Sequence, residues 1–276
     1  MTAAAQTSLD DLDDARPDAL TGGGPGKPAT SVGERLRRSW RGLIIRPIVL
    51  AAVLLTLWLI VSRMSLDSIE ARSLNHQEIT DELLQHIKLS LTATSFTVVI
   101  AVPLGVLLTR RSARWVKPIG LGLGNLGQAV PSIGLIVLLA LWVGTGFGVA
   151  VFALVVYAAL PVLRNTIVGV EGVDPALIEA ARGMGMSKLA VLARIEVPLA
   201  VPVIIAGIRT ALVLTFASAT LATFIGAGGL GAGVIAGIGL NRPVLSVTFG
   251  IITAALALFA DWVGLVVEEL LRPRGI

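Results

Sequence analysis

The sequence has no cysteine, only two histidines, and few charged or aromatic residues. The absence of cysteine excludes disulfides, cysteine–zinc sites and thiol nucleophiles. Asp, Glu, Lys and Arg make up 14% of the 276 residues, whereas an ordinary soluble domain carries roughly 25% charged residues. These charges fall in clusters separated by long uncharged runs. This pattern argues against a soluble enzyme, a disordered scaffold and a nucleic-acid binder.

Hydrophobic residues are abundant instead. They make up 55% of the chain, and the mean hydropathy is +0.86. Several charge-free runs reach the roughly 17–25 residues that a helix needs to cross a bilayer. The sequence pI is near 10.1, but the net charge of +4 mostly reflects arginines in loops beside apolar spans. The sequence therefore predicts an all-α integral membrane protein with the lipid bilayer, and no nucleic acid, as its partner.

The uncharged runs predict about six transmembrane helices. The run from Pro118 to Leu163 is too long for one crossing and is interpreted as two, with a break at Gly144–Gly148. The glycine-rich stretch Gly226–Gly239 is predicted to turn or dip rather than cross. The remaining spans are predicted at Pro47–Ser62, Leu89–Thr109, Leu199–Phe224 and Pro243–Val267.

These spans divide the chain into four parts. Residues 1–42 are predicted to be a cytoplasmic, disordered tail with a basic end, because an acidic and glycine-rich stretch has nothing apolar to bury. Residues 43–64 form an extra N-terminal helix. Residues 65–88 form an external segment, whose end at 81–91 has the apolar spacing of an amphipathic helix. Residues 89–272 form the transmembrane core, which includes a long loop at 164–196.

The distribution of Lys and Arg predicts the orientation. With a cytoplasmic N-terminus, only four cations fall in outer segments, namely Arg63, Arg72, Lys88 and Arg242. The inner segments then hold the arginines at 35–46 and those flanking the long loop. Both termini are therefore predicted to be cytoplasmic.

No motif indicates catalysis in this chain. Two matches to the dinucleotide-binding glycine pattern, at 122–127 and 226–231, lie in apolar membrane sequence, where close helix packing or an irregular backbone is the better interpretation. His76 and His86 lie in the outer segment and are predicted to be solvated rather than metal ligands. We see no ATPase site and no nucleophile–base pair. The sequence predicts a chain that is not an enzyme and that holds no metal or cofactor.

The long inner loop carries helix-start and helix-stop signals. Asp174 followed by Pro175 predicts a helix over 175–182, because the carboxylate caps free N–H groups and Pro suits the first helical position. Gly183 or Gly185 would end that helix, and Ser187 would cap a second helix running toward Pro198. A helix lying on the bilayer surface is one interpretation. The caps on both sides favour a docking helix.

The same loop resembles a known motif. Glu179-Ala180-Ala181, then Gly185, Ile195 and Pro198 match the spacing of the EAA loop in permease subunits of bacterial ABC importers. Val197 replaces the consensus leucine before the proline. The stretches at 101–110, 128–140, 160–170, 198–211 and 219–231 resemble the osmoprotectant branch, which imports glycine betaine, choline, carnitine or proline. The resemblance covers roughly residues 76–272, and the tail and first span lie outside it.

The resemblance implies a mechanism and a set of partners. In this family two permease subunits, identical or similar, form the pathway, cytoplasmic ABC ATPase subunits receive the EAA helix in a groove, and an external solute-binding protein delivers the solute. Closure of the ATPase dimer would move a coupling helix at about 174–186 and switch the spans between outward- and inward-facing. The location implied is the bacterial cytoplasmic membrane. The residues assigned to ATPase coupling are Asp174, Glu179, Ala180, Ala181, Gly185 and Ser187.

Polar groups inside apolar spans are candidates for the translocation pathway, because they are expensive there. Helix–helix hydrogen bonds are the alternative role for each of them. Arg209 is expected to snorkel or pair, and Asp261 is expected to pair with a neighbouring span. The scarcity of aromatic residues argues against a tight cation–π cage, so solute recognition is expected in the binding protein. The pathway candidates are Asn125, Gln128, Pro131, Ser132, Ser218, Thr220 and Thr223.

Three other functions stay open at this point. A permease for another small solute, such as an amino acid or a histidine-derived betaine, fits the same motif. An ATP-independent channel or carrier would leave the EAA loop without a role. A membrane scaffold that conducts nothing would leave the polar and Gly/Pro-broken spans without one.

Overall fold

The computed structural model of the chain describes residues 32–113 and 115–271, with side chains from Leu43 onward. Within these residues the structure is helical and contains no strand. The chain divides into two units, Met1–Gly42 and Leu43–Ile276, and the second unit carries the candidate site. The tail predicted to be disordered lies outside the described residues, apart from the backbone of 32–42, which is helical.

The elements follow one another with short connections. Three irregular helical stretches interrupt them: a 3-10 turn at Arg111–Ala113, a π-turn at Leu192–Glu196 and a 3-10 segment at Thr220–Ile225. The α-helices are α1 (Val32–Arg63), α2 (Ser68–Ser73), α3 (His76–Leu108), α4 (Lys117–Ala129), α5 (Ser132–Val143), α6 (Phe147–Glu171), α7 (Pro175–Gly183), α8 (Lys188–Val191), α9 (Val197–Ala219), α10 (Gly231–Gly239) and α11 (Pro243–Leu271).

Five helical runs in the described part of the chain are long and apolar enough to cross a membrane. They are α1 from Leu43, α3, α6, the run Lys188–Ile225 that contains α9, and α11. Helices α4 and α5 meet at an angle of 99°, and the number of spans is six when this bent pair is counted as one span. The glycine-rich α10 has nine residues and extends about 14 Å at 1.5 Å per residue, too short to cross. The prediction of an all-α membrane protein with about six spans is confirmed.

Three boundaries differ from the sequence predictions. The amphipathic segment at 81–91 and the second span form one helix, α3, which begins at His76. Helix α6 continues to Glu171, so the start of the predicted loop at 164–196 is helical, because no proline interrupts 164–171. The predicted break after Gly144 is present, and a second break lies at Val130–Pro131. Pro131 has no N–H to continue the helical ladder.

The connection between α1 and α3 is fixed by a capping box on α2. Asp67 accepts the N–H groups of Ile69 and Glu70, and Glu70 accepts the Asp67 N–H at 3.1 Å. The N–H of Glu70 and the charge of Arg242 hold the pKa of the Asp67 carboxyl below its usual value. The ion pair between Asp67 and Arg242 ties α2 to the start of α11.

Helices α6 and α9 form the centre of the bundle, with α3 against both and α11 against α9. The buried positions are rich in alanine, such as Ala153, Ala158 and Ala211, which lets the helix backbones approach closely. At Gly127 a Cβ atom would lie 2.9 Å from the Val156 carbonyl oxygen of α6. Gly124 and Gly127 of the pattern at 122–127 therefore allow close packing of α4 on α6, one of the two predicted interpretations, whereas Gly122 has open space around it.

Candidate functional site: the loop after α6 and the polar segments

Helix α7 begins as the sequence predicts. The Asp174 carboxylate accepts the Ala176 N–H at 2.9 Å, and Pro175 occupies the first helical position. Both residues stabilise the start of the helix, because the first N–H groups lack partners within it.

Helix α7 ends in a Schellman motif at Gly185. The Met186 N–H donates to the Ala181 carbonyl at 3.1 Å, and the Gly185 N–H donates to the Arg182 carbonyl at 2.9 Å. Gly185 has φ +85°, a left-handed conformation that a side chain disfavours. The glycine of the EAA motif therefore has a backbone role in this chain, because it turns the chain sharply after α7.

The chain then returns to the bundle without a further loop. Ser187 Oγ accepts the Ala190 N–H at 3.2 Å, as predicted for a cap, and α8 passes through the π-turn into α9. Short π-turns inside helices are frequent at functional sites. Helix α7 is thus joined by a four-residue turn to the continuous helical run from α8 into α9.

One face of α7 is buried and the other is open. Ala181 is 1% exposed and supports α7 from within the chain. Glu179 and Ala180 are exposed. Three large apolar side chains lie exposed in the same loop, namely Leu177, Met184 and Leu189. Small, apolar and acidic residues together form a surface that suits close contact with another protein.

A buried ion pair anchors this loop to the bundle. Arg110, just after α3, donates to Glu196 in the π-turn at 2.6 Å. The Glu196 side chain is 6% exposed, and that of Arg110 is 33% exposed. Lys117 at the start of α4 pairs with Glu171 at the end of α6 at 2.6 Å. The two ion pairs therefore link the end of α3 to the start of α9 and the start of α4 to the end of α6.

The predicted pathway residues lie in two places. Asn125, Gln128, Pro131 and Ser132 surround the bend between α4 and α5, and Asn125 and Pro131 are exposed. Ser218, Thr220 and Thr223 lie where α9 changes into the 3-10 segment, and Ser218 is buried. Helix α5 packs on that segment through a shared buried cluster that includes Ile136, Ala222 and Ile225. Within the described residues, no side-chain hydrogen bond joins the two sets.

The prediction that both histidines are solvated is wrong for His86. His76 is exposed, but His86 is fully buried, and its Nε2 lies 2.9 Å from the Phe216 carbonyl oxygen. A carbonyl only accepts, so Nε2 carries the proton. Phe216 precedes the change from α to 3-10 helix, where regular backbone pairing is interrupted. His86 thus holds the segment that carries Ser218, Thr220 and Thr223.

His86 belongs to a polar stripe along α3 that the sequence analysis missed. Glu82, His86, Ser90 and Thr94 recur at every fourth residue, and each has a buried polar atom without a hydrogen-bond partner among the described residues. Beside them, Gln85 Oε1 accepts the N–H of Gly229 at 3.2 Å, in a turn with three left-handed glycines. The four-residue spacing of these polar residues could have indicated the stripe in the sequence, because residues at i and i+4 share a helix face.

The predicted charges inside the spans do pair. Arg209 on α9 donates to Asp261 on α11 at 2.6 Å and to Glu268 at 3.1 Å. Asp261 also accepts from Arg46 on α1 at 2.7 Å. This network links α1, α9 and α11, so the expected structural role of Arg209 is confirmed.

Comparison with known proteins identifies this arrangement. The family described as "Binding-protein-dependent transport system inner membrane component" matches residues 101–273. The chain belongs to this family. The matched region contains the loop with α7, both sets of pathway candidates and the Arg209–Asp261 pair.

Curated relatives share most of the permease. A carnitine transport permease protein, OpuCB of Listeria monocytogenes, is 41% identical over 70% of this chain and 87% of its own length. A choline transport system permease protein, OpuBB of Bacillus subtilis, is 39% identical over 73% of this chain and 92% of its own length. The osmoprotectant import permease protein OsmW of Salmonella typhimurium is 38% identical over 70% of this chain and 91% of its own length. The resemblance to the osmoprotectant branch is confirmed, and the chain is a transport subunit.

Solved structures support the fold. A structure of the MetNI methionine ABC transporter in inward-facing conformations matches with a TM-score of 0.63 and 22% identity, over 71% of this chain and 96% of that chain. An amino acid ABC transporter solved with histidines matches with a TM-score of 0.61 and 18% identity, over 75% of this chain and 100% of that chain. The bundle therefore has the fold of ABC importer permeases.

Proposed function

We propose that the permease is the membrane subunit of an ATP-driven importer for small osmoprotectants such as glycine betaine, choline, carnitine or proline. The relatives carry this proposal, because three of them named for carnitine, choline or osmoprotectant transport are 38–41% identical to it over most of their length. In this proposal, ATP is hydrolysed by a separate cytoplasmic ATPase, and an external binding protein selects the solute.

In the same proposal, α7 is the coupling helix. Its geometry supports the assignment, because it is capped by Asp174, ended by Gly185 and anchored through the Arg110–Glu196 pair. Movement applied to the exposed Glu179 and Ala180 would pass through α8 and the π-turn into α9. The 3-10 segment at the far end of α9 holds two of the pathway candidates, Thr220 and Thr223, and a third, Ser218, lies just before it in α9.

Uptake tests the proposal directly. The permease is expressed with its ATPase and binding protein in a bacterial host that lacks osmoprotectant uptake, and accumulation of radiolabelled glycine betaine, choline, carnitine and proline is measured. We expect at least one of them to accumulate. We expect Glu179→Arg to abolish that uptake while the chain still inserts. Glu269→Arg is the matched control, because Glu269 is exposed at the end of α11 and outside the loop. Equal loss in both variants, or none in either, would contradict the role of Glu179.

The proposed location is the bacterial cytoplasmic membrane, with α7 and both termini in the cytoplasm. The chain has no cysteine, so single introduced thiols report the side on which they lie. We expect Gln77→Cys, at the start of α3, to react with a membrane-impermeant maleimide in intact spheroplasts. We expect Met184→Cys to react only after permeabilisation. The reverse pattern would invert the proposed orientation.

A further inference from the structure

An apolar crevice lies between α1 and α11. Its volume is about 550 Å³, and apolar side chains line both of its walls. On one side are Pro47, Leu50 and Val53, and on the other are Ala254, Leu258 and Phe259. None of the residues Leu43–Arg63 of α1 is buried, so this helix lies at the edge of the described bundle rather than in its core.

The crevice has a charged end. Arg46 and Asp261 lie at its margin, joined at 2.7 Å. There the Trp262 indole also donates to the Leu43 carbonyl at 2.8 Å. These two contacts hold α1 against α11 at that end, and the apolar walls continue along the helices from it. The site is therefore amphipathic, with the Arg46–Asp261 ion pair at one end and hydrocarbon surface along its length.

Arg46 is the cation that remains available for a ligand. Asp261 already accepts from both the Nε and NH2 groups of Arg209. Arg46 contributes only NH1 to Asp261, and its side chain is 46% exposed. The other guanidinium N–H groups have no hydrogen-bond partner among the described residues. An arginine can hold a phosphate through such donors while one of them remains on a carboxylate.

We propose that the crevice between α1 and α11 binds an anionic phospholipid, with the phosphate on Arg46 and an acyl chain between the two helices. The volume falls within the range of roughly 300–1,000 Å³ that is usual for small-molecule sites. Basic side chains beside membrane-crossing helices recognise anionic headgroups in this way. In the sequence, four further arginines at 35, 37, 38 and 41 precede the span. Helix α1 lies outside the matched family region at 101–273, whereas α11 lies inside it, so the site forms where an additional helix packs on the transport core.

Native mass spectrometry of the purified full-length chain in neutral detergent tests the proposal. The chain is titrated with phosphatidylglycerol and, separately, with phosphatidylcholine of the same acyl composition. We expect tighter retention of phosphatidylglycerol, and we expect Arg46→Gln to weaken it about fivefold, the effect of one cation near the surface. Arg46→Lys should retain most of the binding. Free inorganic phosphate should not displace the lipid.

Two tryptophan variants separate lipid binding from a merely structural role of Arg46. Ala254→Trp fills the crevice and leaves the Arg46–Asp261 pair in place, so it should weaken retention of both lipids. Leu55→Trp, at an exposed position of α1 that does not line the crevice, should leave retention unchanged. Gel filtration checks that each variant is folded. Equal retention of the two lipids, displacement by phosphate, or insensitivity to both Arg46→Gln and Ala254→Trp would overturn the proposal.

Discussion

At the scale of single residues, Gly185 decides how α7 ends. Its left-handed φ of +85° lets the N–H groups of Gly185 and Met186 reach back to carbonyls of α7. No atom would contact a Cβ placed there, so the restriction is conformational rather than steric crowding by neighbours. A side chain in this conformation costs roughly 1–2 kcal/mol.

We therefore expect Gly185→Ala to loosen the end of α7 and reduce uptake while the chain still inserts in the membrane. Gly183→Ala is the matched control, because Gly183 also has open space around it but no left-handed φ. Gly185→Asn should lie between the two, since asparagine tolerates the left-handed region better than alanine. Uptake per inserted subunit is the measurement, and equal activity of the two alanine variants would contradict this role.

His86 gives a second test at this scale. Its removal would leave the Phe216 carbonyl without a partner and create a cavity, which costs about 1–3 kcal/mol for the lost hydrogen bond alone. We expect His86→Ala to lower the melting temperature in detergent, measured by loss of the monodisperse gel-filtration peak on heating. His76→Ala, at an exposed position, should behave as the wild type. Equal stability of the two variants would contradict the assigned contact.

Local chemistry explains which residues were predictable. Asp174 and Ser187 act on N–H groups two or three residues away, so the sequence alone indicates both caps. The partner of His86 is Phe216, 130 residues later, and nothing local indicates that this face of α3 is covered. Arg209 was predictable as a charge inside an apolar run. Its partners Asp261 and Glu268 lie 52 and 59 residues later in the sequence, and nothing local indicates that Arg209 binds both of them.

At the scale of elements, the Arg110–Glu196 pair joins the end of α3 to the π-turn before α9. The two partners are unequally buried, so their removal should have unequal effects. Arg110→Ala leaves a buried carboxylate without a partner and should cost about 2–3 kcal/mol, below the range for fully buried pairs because Arg110 is partly exposed. Glu196→Gln leaves an arginine that water can reach, and should cost less.

The double variant Arg110→Ala with Glu196→Gln measures the coupling between them. We expect it to be more stable to heat than Arg110→Ala alone, because the buried charge is gone. Thermal stability of the three variants in the same detergent is the measurement. Additive losses would show that the pair does not link the two elements.

The bent pair of α4 and α5 shows how far sequence predicts an element. Pro131 marks a place where a helix can open, and the structure does break there. The angle of 99° depends on the contacts of α4 with α6 and of α5 with the 3-10 segment. These contacts join residues far apart in sequence. Composition and periodicity therefore predict that the helix breaks at Pro131, but they do not predict the angle between α4 and α5.

At the scale of the whole molecule, a continuous helical run leads from α8 through the π-turn into α9 and connects the two ends of the bundle. Helix α7 is joined to the start of this run by the turn at Gly185. One end presents the exposed face of α7, and the other carries the 3-10 segment held by His86. The number of spans could be predicted from hydropathy, because each crossing needs a long apolar run. The packing of α6 on α9 at the centre could not be predicted from hydropathy, because apolar helices in lipid have no hydrophobic face that selects a neighbour.

We propose that this permease moves an osmoprotectant only when an ATPase acts on α7. The most direct test is uptake into proteoliposomes that contain the complete transporter, with ATP inside and the solute-loaded binding protein outside. We expect accumulation with ATP, and none with ADP or with a Glu179→Arg permease that assembles normally. Accumulation that proceeds equally without ATP would contradict ATP-driven transport and identify the chain as a carrier or channel.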